Sequence, residues 1–281
     1  MTLKESLCRA REVLAVGDID CAPLESELLL RQALKLSRVQ LYQDLEQRLA
    51  PGQEEAFWRL VKRRLNGEPT AYITGHREFY GLDFLVSPSV LIPRPESELL
   101  VERTLSLAQK YKAPVIADIA TGCGAIAISL AIALPQAKIY ASDISVPALE
   151  VALANCRRHG VASRICLLHG DMLEPLPGPV DFIVANLPYV KQSQLRAGGF
   201  EPLLALDGGR DGLERIRRLC RQVSNRLRSG GCLLLEMGQG QRRAVTTMLG
   251  SFLTAAEIEV TPDLGGIDRV LTAILPPVLK T

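Results

Sequence analysis

Pro114-Val115-Ile116-Ala117-Asp118-Ile119-Ala120-Thr121-Gly122-Cys123-Gly124 is the stretch on which the fold turns. An apolar run ends on an acidic residue and two closely spaced glycines, and a second apolar segment follows to Leu134. A hydropathy scan over 115–134 would flag a membrane span, but Asp118, Gly122 and Gly124 interrupt it. The pattern reads as a buried strand, a tight turn and a helix over about 123–134. Glycines in such a turn let a ligand approach the backbone and let the next helix start close by.

Further strands follow the same logic. The candidates are 114–120, 138–144, 164–171, 180–187, 231–238 and 269–275, with helices near 123–134, 146–159 and 212–228. Strands alternating with helices predict an α/β domain over 96–281, built on a mainly parallel sheet covered on both faces. Residues 76–95, with Gly81 at a turn and Phe, Tyr, Val and Ile around it, read as a β-hairpin or extended linker. Residues 1–75 read as a small helical domain, with Leu24, Leu28, Leu29 and Leu36 near helical spacing and Pro23 at a first helical position. The segment QEEAFWRLVKRRLNG places acids early, bases late and Gly67 after its end, the polarity that a helix dipole favours.

Bulk properties narrow the function. The 281 residues carry a formal net charge of +2, with 47% hydrophobic and 5% aromatic content. Such a balance disfavours phosphate-driven nucleic-acid binding, which needs a concentrated basic face. The N-terminus, MTLKESLCRAREVLAV, carries charges throughout and lacks the apolar core of a secretory signal. The seven cysteines are scattered without a CxxC pair, and His76, His159 and His169 do not form a metal-ligand spacing. The expectation is a cytoplasmic, monomeric protein with reduced, mostly buried cysteines, no metal and no membrane segment.

Chemistry gathers at the strand ends. In an open α/β sheet, ligands bind beyond the carboxyl ends of the strands, where strand order reverses. The first strand delivers Ala120, Thr121, Gly122, Cys123 and Gly124. The second delivers Asp143, whose carboxylate can accept both hydroxyls of a ribose, although Asp143 and Ser145 are also rival helix caps. The third delivers Asp171, a candidate acceptor for an adenine amino group, and Met172, a candidate to pack on the ring. The fourth ends in Asn186-Leu187-Pro188-Tyr189. There the Asn side-chain oxygen and a backbone carbonyl can accept both hydrogens of a planar NH2 group. Pro188 stiffens the turn and Tyr189 offers a ring face. Ordinary turn chemistry is the competing reading of that tetrapeptide. A nicotinamide dinucleotide site would show G-x-G-x-x-G, and the A-T-G-C-G-A turn does not. S-adenosylmethionine, with adenosine but no phosphate, fits better.

With those residues in view, the chain resembles the HemK/PrmC family of release-factor glutamine N5-methyltransferases. The segment EPTAYITGHREFYGLDFLVSPSVLIPRPESE looks like the family's linker and its P-R-P-E-T-E signature, with Ser97 for the usual Thr. DIATGCGAIAI looks like its cofactor turn, with Ala120 where Gly is usual, a change that is tolerated if φ is negative there. NLPY stands where the family has N-P-P-Y, and EPLLALDGGRDGL, GCLLLEMGQGQ and GGIDRVL match the later segments. Leu187 removes one φ constraint and keeps the backbone carbonyl.

The resemblance implies a Rossmann-like class I methyltransferase domain behind a helical substrate-recognition domain. It further implies methyl transfer from S-adenosylmethionine to the glutamine of the Gly-Gly-Gln motif in peptide-chain release factors. Asn186 and Tyr189 would be the catalytic residues, and Asn186 through Tyr189 would hold the substrate. Ala120–Gly124, Asp143, Asp171, Met172 and Asn186 would hold the cofactor. Arg94 and Glu96 would shape the pocket mouth, pin the two domains together, or form a structural ion pair. NLPY is shared in type with adenine methyltransferases acting on RNA or DNA. That activity, a ribosomal-protein glutamine methyltransferase and a non-catalytic binding protein are the alternatives.

Overall fold

The computed structural model describes residues 1–195 and 198–277. The chain divides into two compact units, Met1–His76 and Arg77–Thr281.

The first unit holds α1 (Leu3–Val16), α2 (Ala22–Leu34), α3 (Arg38–Gln43), α4 (Pro51–Leu65) and α5 (Thr70–Thr74). A capping box starts α1, with the Glu5 N–H donating to Thr2 Oγ1 and the Thr2 N–H donating to Glu5 Oε2. Ser37 and Gln40 repeat the device at α3. Its core gathers Leu7, Leu14, Leu29, Leu30, Leu41 and Phe57. Of the leucines at helical spacing, Leu29 is buried and Leu24 is 52% exposed, and the buried face of α2 runs through Ala22, Ser26, Leu29 and Leu30. Helix α4 ends as read, with Lys62, Arg63 and Arg64 in its last turn and Gly67 beyond it at φ +92°.

Strands β1 (His76–Phe79) and β2 (Leu82–Leu85) form a two-stranded sheet. They join through Tyr80 and Gly81, at φ +52° and +72°. Two consecutive positive φ values give the turn whose twist matches a hairpin. The hairpin therefore fills only the first half of 76–95.

The remaining elements are α6 (Glu98–Ala108), β3 (Val115–Ile119), α7 (Ala125–Ala133), β4 (Lys138–Asp143), α8 (Val146–Arg158), β5 (Ile165–His169), β6 (Val180–Ala185), α9 (Leu203–Leu206), α10 (Glu214–Val223), β7 (Leu227–Glu236), α11 (Arg242–Phe252), β8 (Glu257–Pro262) and β9 (Asp268–Ile274). The sheet order is β5-β4-β3-β6-β7-β9-β8. Its first five strands are parallel, while β9 runs antiparallel to both β7 and β8. The stretch 115–134 is thus strand, turn and helix, and no described helix is long and apolar enough to cross a membrane.

Strand alternation covers both faces of the sheet. Ala117, Ile119, Ile183, Ala185, Leu233 and Leu235 pack with Ile216, Leu219, Val245 and Leu249 of α10 and α11. The intervening residues, such as Ile116 and Phe182, are fully buried and face the other way, where α6 packs on α7 and on β6. Sequence reading missed β8 because Glu257, Glu259 and Pro262 break its apolar content, and a sheet edge tolerates them. The seven cysteines are all free, but Cys8, Cys21 and Cys166 are exposed.

Candidate active site

Register brings the strand ends together. Ile119 pairs with Ser142 on one side and Ala185 on the other, and Asp143 pairs with His169. Sheet order reverses at β3, so its carboxyl end and that of β6 frame a crevice. A cleft of about 860 Å³, counted to its open mouth, lies there. Its walls include Ala120, Gly122, Asp143, Asp171, Met172, Asn186, Leu187 and Pro188. Ser89–Leu91, Ile144, Leu204 and Arg215, which sequence reading did not single out, also line it.

Three predicted turn residues, Thr121, Cys123 and Gly124, are not among those walls. Thr121 Oγ1 donates instead to Asp118 Oδ2 at 2.6 Å, and the Ala127 N–H donates to the same oxygen at 3.2 Å. Asp118 Oδ1 has no hydrogen-bond partner among the described residues, and burial pushes this carboxyl up to about 7. Cys123 is buried and its thiol is pushed up to about 12, which keeps it neutral. Gly124 sits where a Cβ would lie 3.1 Å from Ile128 and 3.4 Å from Ala152. The expectation for Ala120 fails: its φ is +58°, the left-handed region, so the residue is tolerated there with backbone strain.

Asp143 Oδ2 accepts the Gly122 N–H and Oδ1 accepts the Ser145 N–H, each at 2.9 Å. Burial raises its carboxyl above the usual range against those backbone bonds. Ser145 is the helix cap, since its Oγ accepts the Ala148 N–H. Asp143 is left facing the cleft. Asp171 pairs with Arg218, so its carboxylate is already partly engaged. Ser142 Oγ donates to the Met172 carbonyl at 2.9 Å and holds that turn against the sheet.

The fourth strand end is braced most heavily. Asn186 Nδ2 donates to Ser97 Oγ at 2.9 Å, and Ser97 Oγ donates to Glu236 Oε2 at 2.6 Å. Tyr189 is not a cleft wall; its hydroxyl donates to Glu236 Oε1 at 3.1 Å. Burial holds the Tyr189 phenol well above its usual value, and the nearby Glu236 charge adds to this. Gln241 Nε2 donates to the carbonyls of Tyr189 and Gly212, both at 3.1 Å. A Cβ on Gly208 would fall 2.7 Å from Tyr189 Cα, and one on Gly238 would fall 3.0 Å from its ring. The segments DGGRDGL and GCLLLEMGQGQ therefore form the cage around the Tyr189 backbone. Glu201 accepts the Ile92 N–H at 3.1 Å and pairs with Arg94, which joins the two segments that flank the cleft.

Sequence reading missed Glu236 and Gln241. Their signal was a carboxylate ending the apolar run Cys232–Leu235 and an amide just beyond it.

Comparison with known proteins gives the family. The PrmC N-terminal domain family matches residues 5–75, and the methyltransferase small domain family matches residues 95–205. A release factor glutamine methyltransferase from Moorella thermoacetica is 44% identical over 97% of this chain and 98% of its own. This chain belongs to the release factor glutamine methyltransferase family. Another member, from Koribacter versatilis, is 39% identical over 98% of this chain and 99% of its own. The solved catalytic domain of hMettl16, in complex with the MAT2A 3'UTR hairpin 6, shares the fold. Its TM-score is 0.57 at 16% identity, covering 78% of this chain and 84% of that one. The mainly parallel α/β sheet expected from the strand pattern, and the methyltransferase domain behind a helical N-terminal domain that the resemblance implied, are observed.

Proposed function

We propose that this protein transfers a methyl group from S-adenosylmethionine to the side-chain amide nitrogen of the glutamine in the Gly-Gly-Gln motif of peptide-chain release factors. One observation carries the reading. Asn186 stands on the cleft at the strand switch point with its carboxamide held by a buried hydrogen bond network. The family membership gives the amide acceptor its identity.

The cleft fits the cofactor. Gly122 has φ +56° and a Cβ there would meet nothing within 4 Å, so its backbone is open to a ligand. Asp143 presents a carboxylate beside it and would accept ribose hydroxyls. Ile144 and Met172 are apolar walls suited to a nucleobase, and Asp171 would take an exocyclic amine with the capacity that Arg218 leaves. When bound, the cofactor supplies an electrophilic sulfonium methyl.

The chain's own task is positioning. An amide nitrogen is a poor nucleophile because its lone pair is delocalised into the carbonyl. Asn186 Oδ1 and the Leu187 carbonyl would accept its two hydrogens and aim the nitrogen. Pro188 stiffens that turn, and Tyr189 anchors it to Glu236. Pre-ordering of this kind is worth roughly 7–11 kcal/mol of barrier in favourable cases. The methylated nitrogen is acidic enough to lose its proton without a dedicated base. The helical first unit would help recognise the release factor, with the reaction in the cytoplasm and no nucleic acid or second copy needed.

Labelled S-adenosylmethionine and a purified release factor, followed by peptide mass mapping, test the reading. One added methyl on the Gly-Gly-Gln glutamine is expected. Transfer to RNA or DNA with none to the factor would overturn it.

A further inference from the structure

The proton inventory around Glu236 decides which way Asn186 faces. A carboxylate only accepts, a serine hydroxyl has one proton, and a carboxamide has a donor end and an acceptor end. Ser97 donates its proton to Glu236 Oε2 at 2.6 Å. It can then offer only a lone pair to Asn186, and that selects the NH2 end at 2.9 Å. Oδ1 is left for the cleft that Asn186 lines. Glu236 is 1% exposed and Ser97 is 4% exposed, so water does not compete for these bonds.

We propose that Ser97 and Glu236 are positioning residues that lock the Asn186 carboxamide with its oxygen toward the substrate amide. This rests on the reading that the acceptor is an amide NH2. With the carboxamide reversed, Asn186 would point a donor at a donor. Tyr189 joins the same lock, because its hydroxyl occupies the second oxygen of Glu236. A serine at position 97 keeps the hydroxyl that a threonine would supply.

The lock needs Glu236 ionised. Burial raises this carboxyl above its usual range, against the bonds from Ser97 and Tyr189. Arg269 opposes the rise and Glu96 adds to it, and these are the charges that face the group. Once protonated, Glu236 donates through one oxygen, the Ser97 proton is freed to swing toward Asn186, and the carboxamide loses its fixed sense. Turnover therefore falls on the acid side of the Glu236 titration and recovers above it.

Two measurements decide the matter. The first uses NMR on the full chain without any acceptor. Slowly exchanging Asn186 Nδ2 protons with contacts to the Ser97 β-protons are expected at pH 8, and Ser97→Ala and Glu236→Gln should abolish both features. Fast exchange without those contacts in the wild type would overturn the proposal. The second follows methylation of a full-length release factor. Ser97→Ala and Glu236→Gln should lower kcat on the order of 10- to 100-fold. S-adenosylhomocysteine affinity should stay within about 2-fold of wild type, since neither residue touches the cleft. Ser97→Thr should restore the rate, and Glu236→Gln should lose the acid limb of the pH profile. Unchanged kcat in both variants would sink the lock while leaving the assigned reaction standing. A wild type that fails to methylate the factor would strike the assigned reaction, and the NMR result would still decide the orientation.

Discussion

Gly208→Ala tests whether the glycine cage sets the position of the Asn186–Tyr189 turn, the proposed substrate-holding element. Gly208 is pinned on both sides: its N–H donates to the Val190 carbonyl and its own carbonyl accepts the Glu214 N–H, each at 2.9 Å. An added Cβ would lie 2.7 Å from Tyr189 Cα, 2.8 Å from its carbonyl carbon and 2.9 Å from Gly212 Cα. All three are backbone atoms, so no rotamer change relieves the contact. Ordinary contact begins at 3.4 Å, which requires a shift of about 0.7 Å. Overpacking of this kind costs about 1–3 kcal/mol, or several degrees in Tm for a unit of this size. A displacement near 1 Å at a positioned group costs on the order of 100-fold in rate. The expected result is a kcat lowered about 10- to 100-fold, a modest fall in Tm and unchanged S-adenosylhomocysteine affinity. Steady-state methylation, differential scanning fluorimetry and calorimetric titration supply the three readouts. Wild-type kcat together with wild-type Tm would refute the cage.

Asn186→Ala should keep cofactor affinity and lose on the order of 100-fold or more in turnover, because it removes the oxygen proposed to accept from the substrate amide; wild-type turnover would sink the mechanism. Asp143→Ala should weaken S-adenosylhomocysteine binding on the order of 10- to 100-fold, the loss of charge-assisted hydrogen bonds. An unchanged Kd by calorimetry would reduce Asp143 to a tie between Gly122 and Ser145. Asp118 titrates near 7 when folded and near 3.8 ordinarily, so folding takes up a proton between those values. Its contribution to stability is complete below pH 3.8 and is lost as pH rises toward 7, on the order of a few kcal/mol across the window. Asp118→Asn should flatten that slope, and urea unfolding at pH 5 and pH 8 checks it. An equal difference between variant and wild type at both pH values would contradict the assignment.

Much of the architecture was legible from local pattern. Apolar runs of strand length ending in Gly, Asp or Asn marked β3, β4 and β6, because a strand buried on both faces has few other sequences open to it. The partly polar edge strand β8 was not legible, since its neighbours rather than its composition hold it in the sheet. Which leucines of α2 reach the core was not legible either, because Leu24 fits a helical stripe as well as Leu29 does and only packing separates them.

The sequence by itself determined the chemistry on offer: a Gly-rich turn, two strand-end carboxylates and an amide followed by a stiff turn. Residue type fixes donors, acceptors and turn propensity, and those do not depend on what lies far along the chain. Only the tertiary structure decided how that chemistry is aimed. Parallel register set Ala120, Asp143 and Asn186 on one edge, and it turned Thr121 inward to Asp118. Ser97 and Glu236 stand 139 positions apart, and folding makes them neighbours at 2.6 Å. Ala120 took a positive φ that its side chain disfavours, because the turn's path is set by the sheet and by α7. Orientation of a carboxamide is a property of its partners, and partners from separate segments meet only in the folded chain.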